Sequence, residues 1–204
     1  MPSALAIRAI AFDLGNVLIK VDHLRFCRRL ARLADRTPEE VYADVFATGL
    51  EPGYDTGRLS SREFYQRVIS HFQVNLPYPQ FCSWWNDIFD PMEGMAELIE
   101  DLKARYPLIL VSNTNALHFP YICRRFPLVH HCRGFILSYR VGSRKPEAAI
   151  YQALIRETGR PPEQCLFIDD KSSFVEAAKT HGLTAWRFTS TQEFLQDLKR
   201  HDLW

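Results

Sequence analysis

The sequence predicts an α/β protein with a parallel sheet at its core and a helical block inserted after the first strand. Three observations carry this. In the second half of the chain, short apolar runs alternate with helical spacing, a β-α-β-α order that implies parallel strands with right-handed crossovers. Polar, chemistry-bearing residues stand at or just past the ends of those runs. Between about Val21 and Pro91 the strand pattern disappears and helix starts take its place.

The elements follow in order. Ala6 to Phe12 is a mostly apolar run ending at Asp13. Thr37-Pro38-Glu39-Glu40 and Ser60-Ser61-Arg62-Glu63 both have the form of a capping box. The turn-rich stretch from Gly49 to Gly57 lies between them, and Pro77 opens a further helical segment containing Trp84 and Trp85. Asp90-Pro91 returns the chain to the core. A helix is expected over Glu93–Tyr106, a strand over Pro107–Val111 and another over Gly134–Leu137. Pro146–Thr158 has helical spacing with the proline in its first turn. Leu166–Ile168 is a buried strand, Ser172–His181 a helix, and Leu183–Phe188 with Thr191–Arg200 repeats the pattern. The expected division is residues 1–20 and 91–204 for the α/β core and 21–90 for a helical cap, with Asp22 and Pro91 as hinges.

Composition narrows the function. The 204 residues are 47% apolar and 24% charged, ordinary for a globular protein. A formal net charge of +1 argues against bulk electrostatic binding to nucleic acid or membrane. Five scattered cysteines without a Cys-x-x-Cys read as reduced thiols in the cytoplasm. No signal peptide or membrane span is expected.

Four segments bring chemistry to one edge of the sheet: Asp13-Leu14-Gly15-Asn16-Val17, Ser112-Asn113-Thr114-Asn115, Arg144-Lys145-Pro146-Glu147 and Phe167-Ile168-Asp169-Asp170. In an open parallel sheet such strand ends converge on one crevice. Asp13 reads as a turn cap or as a nucleophile; attack on a phosphate would need its charge offset, as Mg²⁺ does. Asp169-Asp170 reads as metal carboxylates or as a helix cap beside an exposed acid. Ser112-Asn113 reads as an N-cap or a phosphate cradle. Lys145, one of six lysines, reads as a surface residue or as a fixed charge for a transition state. Together they describe phosphoryl transfer through an aspartyl intermediate.

In that order the segments resemble the haloacid-dehalogenase-like hydrolases, over essentially the whole chain. The pattern is similar to the branch containing α-glucose-1-phosphate phosphatases and the N-terminal phosphatase domain of epoxide hydrolases. The resemblance implies a three-layer, Rossmann-like core with the first strand central. It implies a Mg²⁺-dependent phosphatase of small phosphomonoesters such as a sugar 1-phosphate, with no nucleic-acid or membrane partner, acting as a monomer or homodimer. Asp13 would be nucleophile and metal ligand, the Gly15 carbonyl and Asp170, with Asp169 beside it, the rest of the metal site. Ser112, the Asn113 amide and Lys145 would bind the phosphoryl group. A haloacid dehalogenase, or a member that binds phosphate ligands without turnover, is the alternative.

One position departs from the family pattern. Gly15 stands where most such phosphatases carry a second aspartate, the acid that protonates the leaving oxygen. Three readings are open: another group substitutes, with Asp22, His23 and His118 the candidates by sequence; the substrate needs little protonation, as an anomeric or aryl phosphate would; or the site binds without turnover. Arg25, Arg28, Arg29, Arg32 and Arg36 form a basic stripe at helical spacing, expected to be a solvated face paired with local acids. His130-His131-Cys132 lacks zinc-ligand spacing and reads as loop polarity.

Overall fold

The computed structural model describes residues 7–47 and 49–204; Ala6, the expected start of the first strand, lies outside them. Seven strands occur among the described residues: β1 Ala9–Phe12, β2 Ile19–Val21, β3 Phe89–Pro91, β4 Leu108–Ser112, β5 Gly134–Leu137, β6 Cys165–Asp169 and β7 Thr184–Arg187. The helices are α1 His23–Ala34, α2 Pro38–Tyr42, α3 Leu50–Asp55, α4 Ser61–Phe72, α5 Tyr78–Asn86, α6 Met95–Lys103, α7 His118–Arg125, α8 Ser138–Val141, α9 Ala148–Thr158, α10 Ser172–Thr180 and α11 Thr191–Arg200. No described helix is long and apolar enough to cross a membrane.

Five strands form a parallel sheet in the order β5-β4-β1-β6-β7, so β1 is central. Successive side chains of a strand point to opposite faces, and both faces of this sheet are covered. Ile10 and Phe12 pack with Leu110 and Ile168 against α6, α7 and α11, through Ile99, Ile122 and Leu198. Ala9 and Ala11 pack with Val111 and Phe167 against α9 and α10, through Tyr151, Leu154 and Val175. Burial on two faces is why these strands are continuous apolar runs in the sequence. The result is a three-layer α/β core.

Helices α1–α5 enclose a third apolar cluster around Phe26, Phe64, Phe81 and Trp85. Phe26 meets Trp85 edge-on at 5.0 Å between ring centroids, and Phe46 stacks on its face at 5.5 Å. Trp85 is fully buried while Trp84 is only partly so, as adjacent helical positions require. Both expected capping boxes form: Thr37 and Ser60 accept from the main-chain N–H of Glu40 and Glu63, whose carboxylates accept in return.

The structure differs from the sequence reading at the neck of this block. Ile19 to Val21 and Phe89 to Pro91 pair as a two-stranded antiparallel sheet. Strands of three residues are too short to show a period. The basic stripe begins here too. Arg25 pairs with Asp90 of β3 and lies near Asp22, Arg28 pairs with Asp22, and Arg29 meets Asp87 at 2.6 Å. Arg32 and Arg36 are exposed. His131 pairs with Glu100 at 2.8 Å, on the surface of the core. Pro146 precedes α9 by two residues instead of standing in its first turn.

Gly57, just after α3, lies against the core. Its φ is +71°, and a Cβ there would stand 2.3 Å from the carbonyl oxygen of Tyr139 in α8. Gly142 has a similar φ of +78° but open space around it. Alanine at a left-handed position costs about 1 kcal/mol from the backbone alone. Gly57→Ala is therefore expected to lower the melting temperature by several degrees more than Gly142→Ala. Equal shifts in a thermal melt would show that α8 does not confine this turn.

Candidate active site

The strand order sets the site. Asp13 follows central β1, with its main-chain N–H bonded to the Ile168 carbonyl at 2.8 Å. Ser112 ends β4 on one side of β1 and Asp169 ends β6 on the other. The β5–α9 connection brings in Lys145. Its position is fixed by the Asn113 side chain, whose Oδ1 accepts from the Lys145 N–H at 2.8 Å while its Nδ2 donates to the Lys145 carbonyl at 3.0 Å.

Lys145 is only 1% exposed. Its Nζ lies 2.7 Å from Asp13 Oδ1 and 2.6 Å from Asp169 Oδ2. The second oxygen of Asp169 accepts from the Lys171 N–H at 2.9 Å, so both of its oxygens are engaged. Asp170 is half-buried and lines the crevice. Oxygens of Asp13, Asp169 and Asp170 lie within 4.8 Å of one another. Three carboxylates around one ammonium leave an excess of negative charge in a buried place. Burial pushes Asp13 up to about 7 against the pull of Lys145, with Asp169 adding to the rise. Burial opposes the charge of Lys145, but Asp13 and Asp169 more than offset it, and the lysine stays charged.

A cavity of about 120 Å³ opens over these groups. Asp13, Gly15, Ser112, Asn113, Lys145 and Asp170 all line it, whereas Asp169 lies beneath, bound to Lys145. The helical block contributes His23 from α1 and Glu51 and Asp55 from α3, and the core adds Arg144 and Lys171. Sequence reasoning singled out His23 but missed Glu51, Asp55 and Lys171, which stand in no strand-end motif. A Cβ on Gly15 would meet Val21 Cγ2 at 3.1 Å, so the Val21 side chain would have to give by a few tenths of an ångström to admit one.

The three groups named as replacements for the missing acid fare differently. Asp22 is engaged by Arg28 and lies near Arg25, outside the crevice lining. His118 is committed on both nitrogens. Asn115 Oδ1 accepts from the N–H groups of Leu117 and His118, so its Nδ2 donates to Asp55 at 3.1 Å and to His118 Nδ1 at 3.1 Å. His118 Nε2 must then carry the proton, which it gives to the Trp85 carbonyl at 2.9 Å. Burial holds this ring neutral, down to about 3. His23 is lowered by burial, and then by Lys171, to about 4, and its buried Nδ1 has no partner among the described residues.

Known proteins resemble this chain over most of its length. The chain is 25% identical over 199 residues to a D-ribitol-5-phosphate phosphatase of Bacteroides thetaiotaomicron, covering 94% of this chain and 97% of that one. A solved family enzyme from the same organism superposes with a TM-score of 0.85 at 23% identity, over 94% of this chain and 98% of that one. A form of it in complex with magnesium and inorganic phosphate gives 0.81 at 23% identity, over 91% and 96% of the two chains. A family hydrolase from Porphyromonas gingivalis gives 0.81 at 26% identity, over 96% and 97%. The family model for haloacid dehalogenase-like hydrolases matches residues 7–182. With that match spanning four of the five strands of the sheet and all four chemistry-bearing segments, the chain belongs to the haloacid dehalogenase-like hydrolase family.

Proposed function

We propose that this hydrolase is a Mg²⁺-dependent phosphatase of small phosphomonoesters, sugar or polyol phosphates, acting through an aspartyl-phosphate on Asp13. The observation that carries the reading is the buried Asp13–Lys145–Asp169 cluster with Asp170 beside it. The donor set fits a divalent cation, because its oxygen ligands are hard and its excess charge is negative. Asp13, Asp170 and the Gly15 carbonyl would hold Mg²⁺, which would offset the charges of nucleophile and phosphate. Asp169 has no oxygen to spare and positions Lys145.

The remaining roles follow from what each group has left to offer. Asp13 Oδ attacks phosphorus. Lys145 and the Ser112 hydroxyl bind the phosphoryl oxygens, and the charge of Lys145 stabilises the transition state. The Asn113 side chain is occupied with Lys145, so its main-chain N–H is the part that would face the phosphate. Residues 21–90 act as a cap: His23, Glu51 and Asp55 reach the crevice from that block and face the alcohol side of the substrate, the ester oxygen included. The name of the ribitol-phosphate relative and the magnesium and phosphate in the Bacteroides structure support this reading. The five cysteines are free thiols, as a reducing cytoplasm would keep them. A dehalogenase would also use an aspartate nucleophile, but its carbon chemistry leaves the converging carboxylates without a purpose.

The test is phosphate release from p-nitrophenyl phosphate and a panel of sugar and polyol phosphates, with Mg²⁺ and with EDTA. Activity that EDTA does not remove would overturn the reading. Asp170→Asn is expected to weaken Mg²⁺ binding by at least about tenfold, measured by calorimetric titration. Unchanged affinity would remove Asp170 from the ligand set.

A further inference from the structure

We propose that the carboxyl pair Glu51 and Asp55 of the helical block supplies the general acid and base that Gly15 lacks. The inference rests on the phosphatase reading above. When a P–O bond to an alkyl alcohol breaks, the departing oxygen needs a proton, and general acid help is worth roughly 10²–10⁴-fold. Gly15 cannot give it. Asp22 lies outside the crevice, both nitrogens of His118 are committed, and His23 is neutral.

Glu51 and Asp55 are one helical turn apart on α3, so they share a face, and that face lines the crevice with Asp13 and Lys145. Asp55 is 3% exposed. Its Oδ1 is held by Asn115, whose amide orientation is fixed from the other side by Leu117 and His118. The Glu51 carboxyl, partly buried, has no hydrogen bond or ion pair with any described residue. His23 lines the same crevice, and its Nδ1, buried, has no partner among the described residues.

The step balances. As Asp13 Oδ bonds to phosphorus, the phosphorus–alkoxide bond breaks, and the leaving oxygen takes a proton from the pair to become an alcohol. The deprotonated pair then takes a proton from water as the water oxygen attacks phosphorus. The Asp13–phosphorus bond breaks, phosphate departs, and the pair has its proton back. Burial, followed by repulsion from Asp55, pushes Glu51 well up. Burial pushes Asp55 up to about 6, against the Asn115 hydrogen bond and the charges of Arg144 and Lys171. The other charged or titratable groups on the crevice are Asp13, His23, His118, Lys145 and Asp170. The two carboxyls lie close enough to be coupled in their titration, and both are shifted toward the protonated form.

The experiment compares kcat/KM for a primary alkyl phosphate, ribitol 5-phosphate, with that for p-nitrophenyl phosphate, whose leaving group needs no proton. It uses the full chain with Mg²⁺, as wild type, Glu51→Gln, Asp55→Asn and the double variant. The alkyl-to-aryl ratio is expected to fall about 100-fold in each single variant, and little further in the double, since the pair acts as one device. The alkaline fall of kcat for the alkyl ester, present in wild type, should vanish in Glu51→Gln. Adding Gly15→Asp with Val21→Ala, which clears the Cγ2 contact, should restore the ratio. Aryl turnover with a ratio that does not move in any variant overturns this inference alone. Failure of the wild type to hydrolyse either ester overturns the phosphatase reading and this inference with it.

Discussion

Replacing Asp13 with asparagine is expected to abolish turnover while leaving the protein folded. The side chains are nearly isosteric, and Asp13 is held by its main-chain bond to Ile168 as well as by its carboxylate. Asparagine cannot form an acyl phosphate, so the loss should be about three orders of magnitude or more, as when other enzymes lose a nucleophile. Stability should move the other way. Asp13 is one of two carboxylates bound to Lys145, with Asp170 close by, and burial together with Asp169 already raises its pKa. Without metal, removing that charge relieves repulsion, so the melting temperature should hold or rise. Sites built for chemistry commonly give up stability in this manner. A phosphate-release assay and a thermal melt on the same preparation check both halves. Retention of about 1% of the wild-type rate would be far more than loss of a nucleophile allows and would sink covalent catalysis by this residue.

The sequence already contained what the sheet contributes. Asp13, Ser112 and Asp169-Asp170 were legible because a parallel sheet buried on both faces writes its strands as apolar runs, and the polar residue at each end stands out; Lys145 was legible because it stands just before a helix start. What the sequence did not show was placed by tertiary contact. Glu51 and Asp55 lie in a six-residue helix, and nothing in Leu50-Glu51-Pro52-Gly53-Tyr54-Asp55 says which face meets the core. That orientation depends on Gly57 fitting beneath Tyr139 and on Asn115 reaching Asp55 across 60 positions of chain. His118 was an attractive acid by sequence spacing; only the network through Asn115 and Trp85 shows that it has no proton to give. Asp169 and Asp170 could not be separated as neighbours in sequence. The turn after β6 separates them, directing one at Lys145 and the other into the crevice.

Lys145→Met is expected to damage both stability and catalysis, in contrast to Asp13→Asn. Methionine has a similar reach and suits the apolar stem position beside Phe167 and Phe174, whose ring centroids lie 5.5 and 5.3 Å from Nζ. It removes the ammonium within 2.7 Å of Asp13 and 2.6 Å of Asp169. Breaking a buried ion pair by deleting one partner costs about 3–5 kcal/mol, because the charge left behind has neither water nor a partner. For a chain of this length each kcal/mol shifts the melting temperature by roughly 2–4 °C, so the metal-free variant should melt about 10 °C or more below wild type. Mg²⁺ should recover more of that loss in the variant than it adds to wild type, because a divalent cation at the same carboxylates supplies the missing positive charge. Turnover should not recover with it. The lysine also meets the phosphoryl group, and losing a fixed donor there costs on the order of 10²–10³ in kcat. Calorimetric melts with and without Mg²⁺, beside kcat at saturating metal, separate the two roles. A metal-free melting temperature equal to wild type would mean that the carboxylates do not depend on Lys145 for their charge balance, and the cluster would then need a different account.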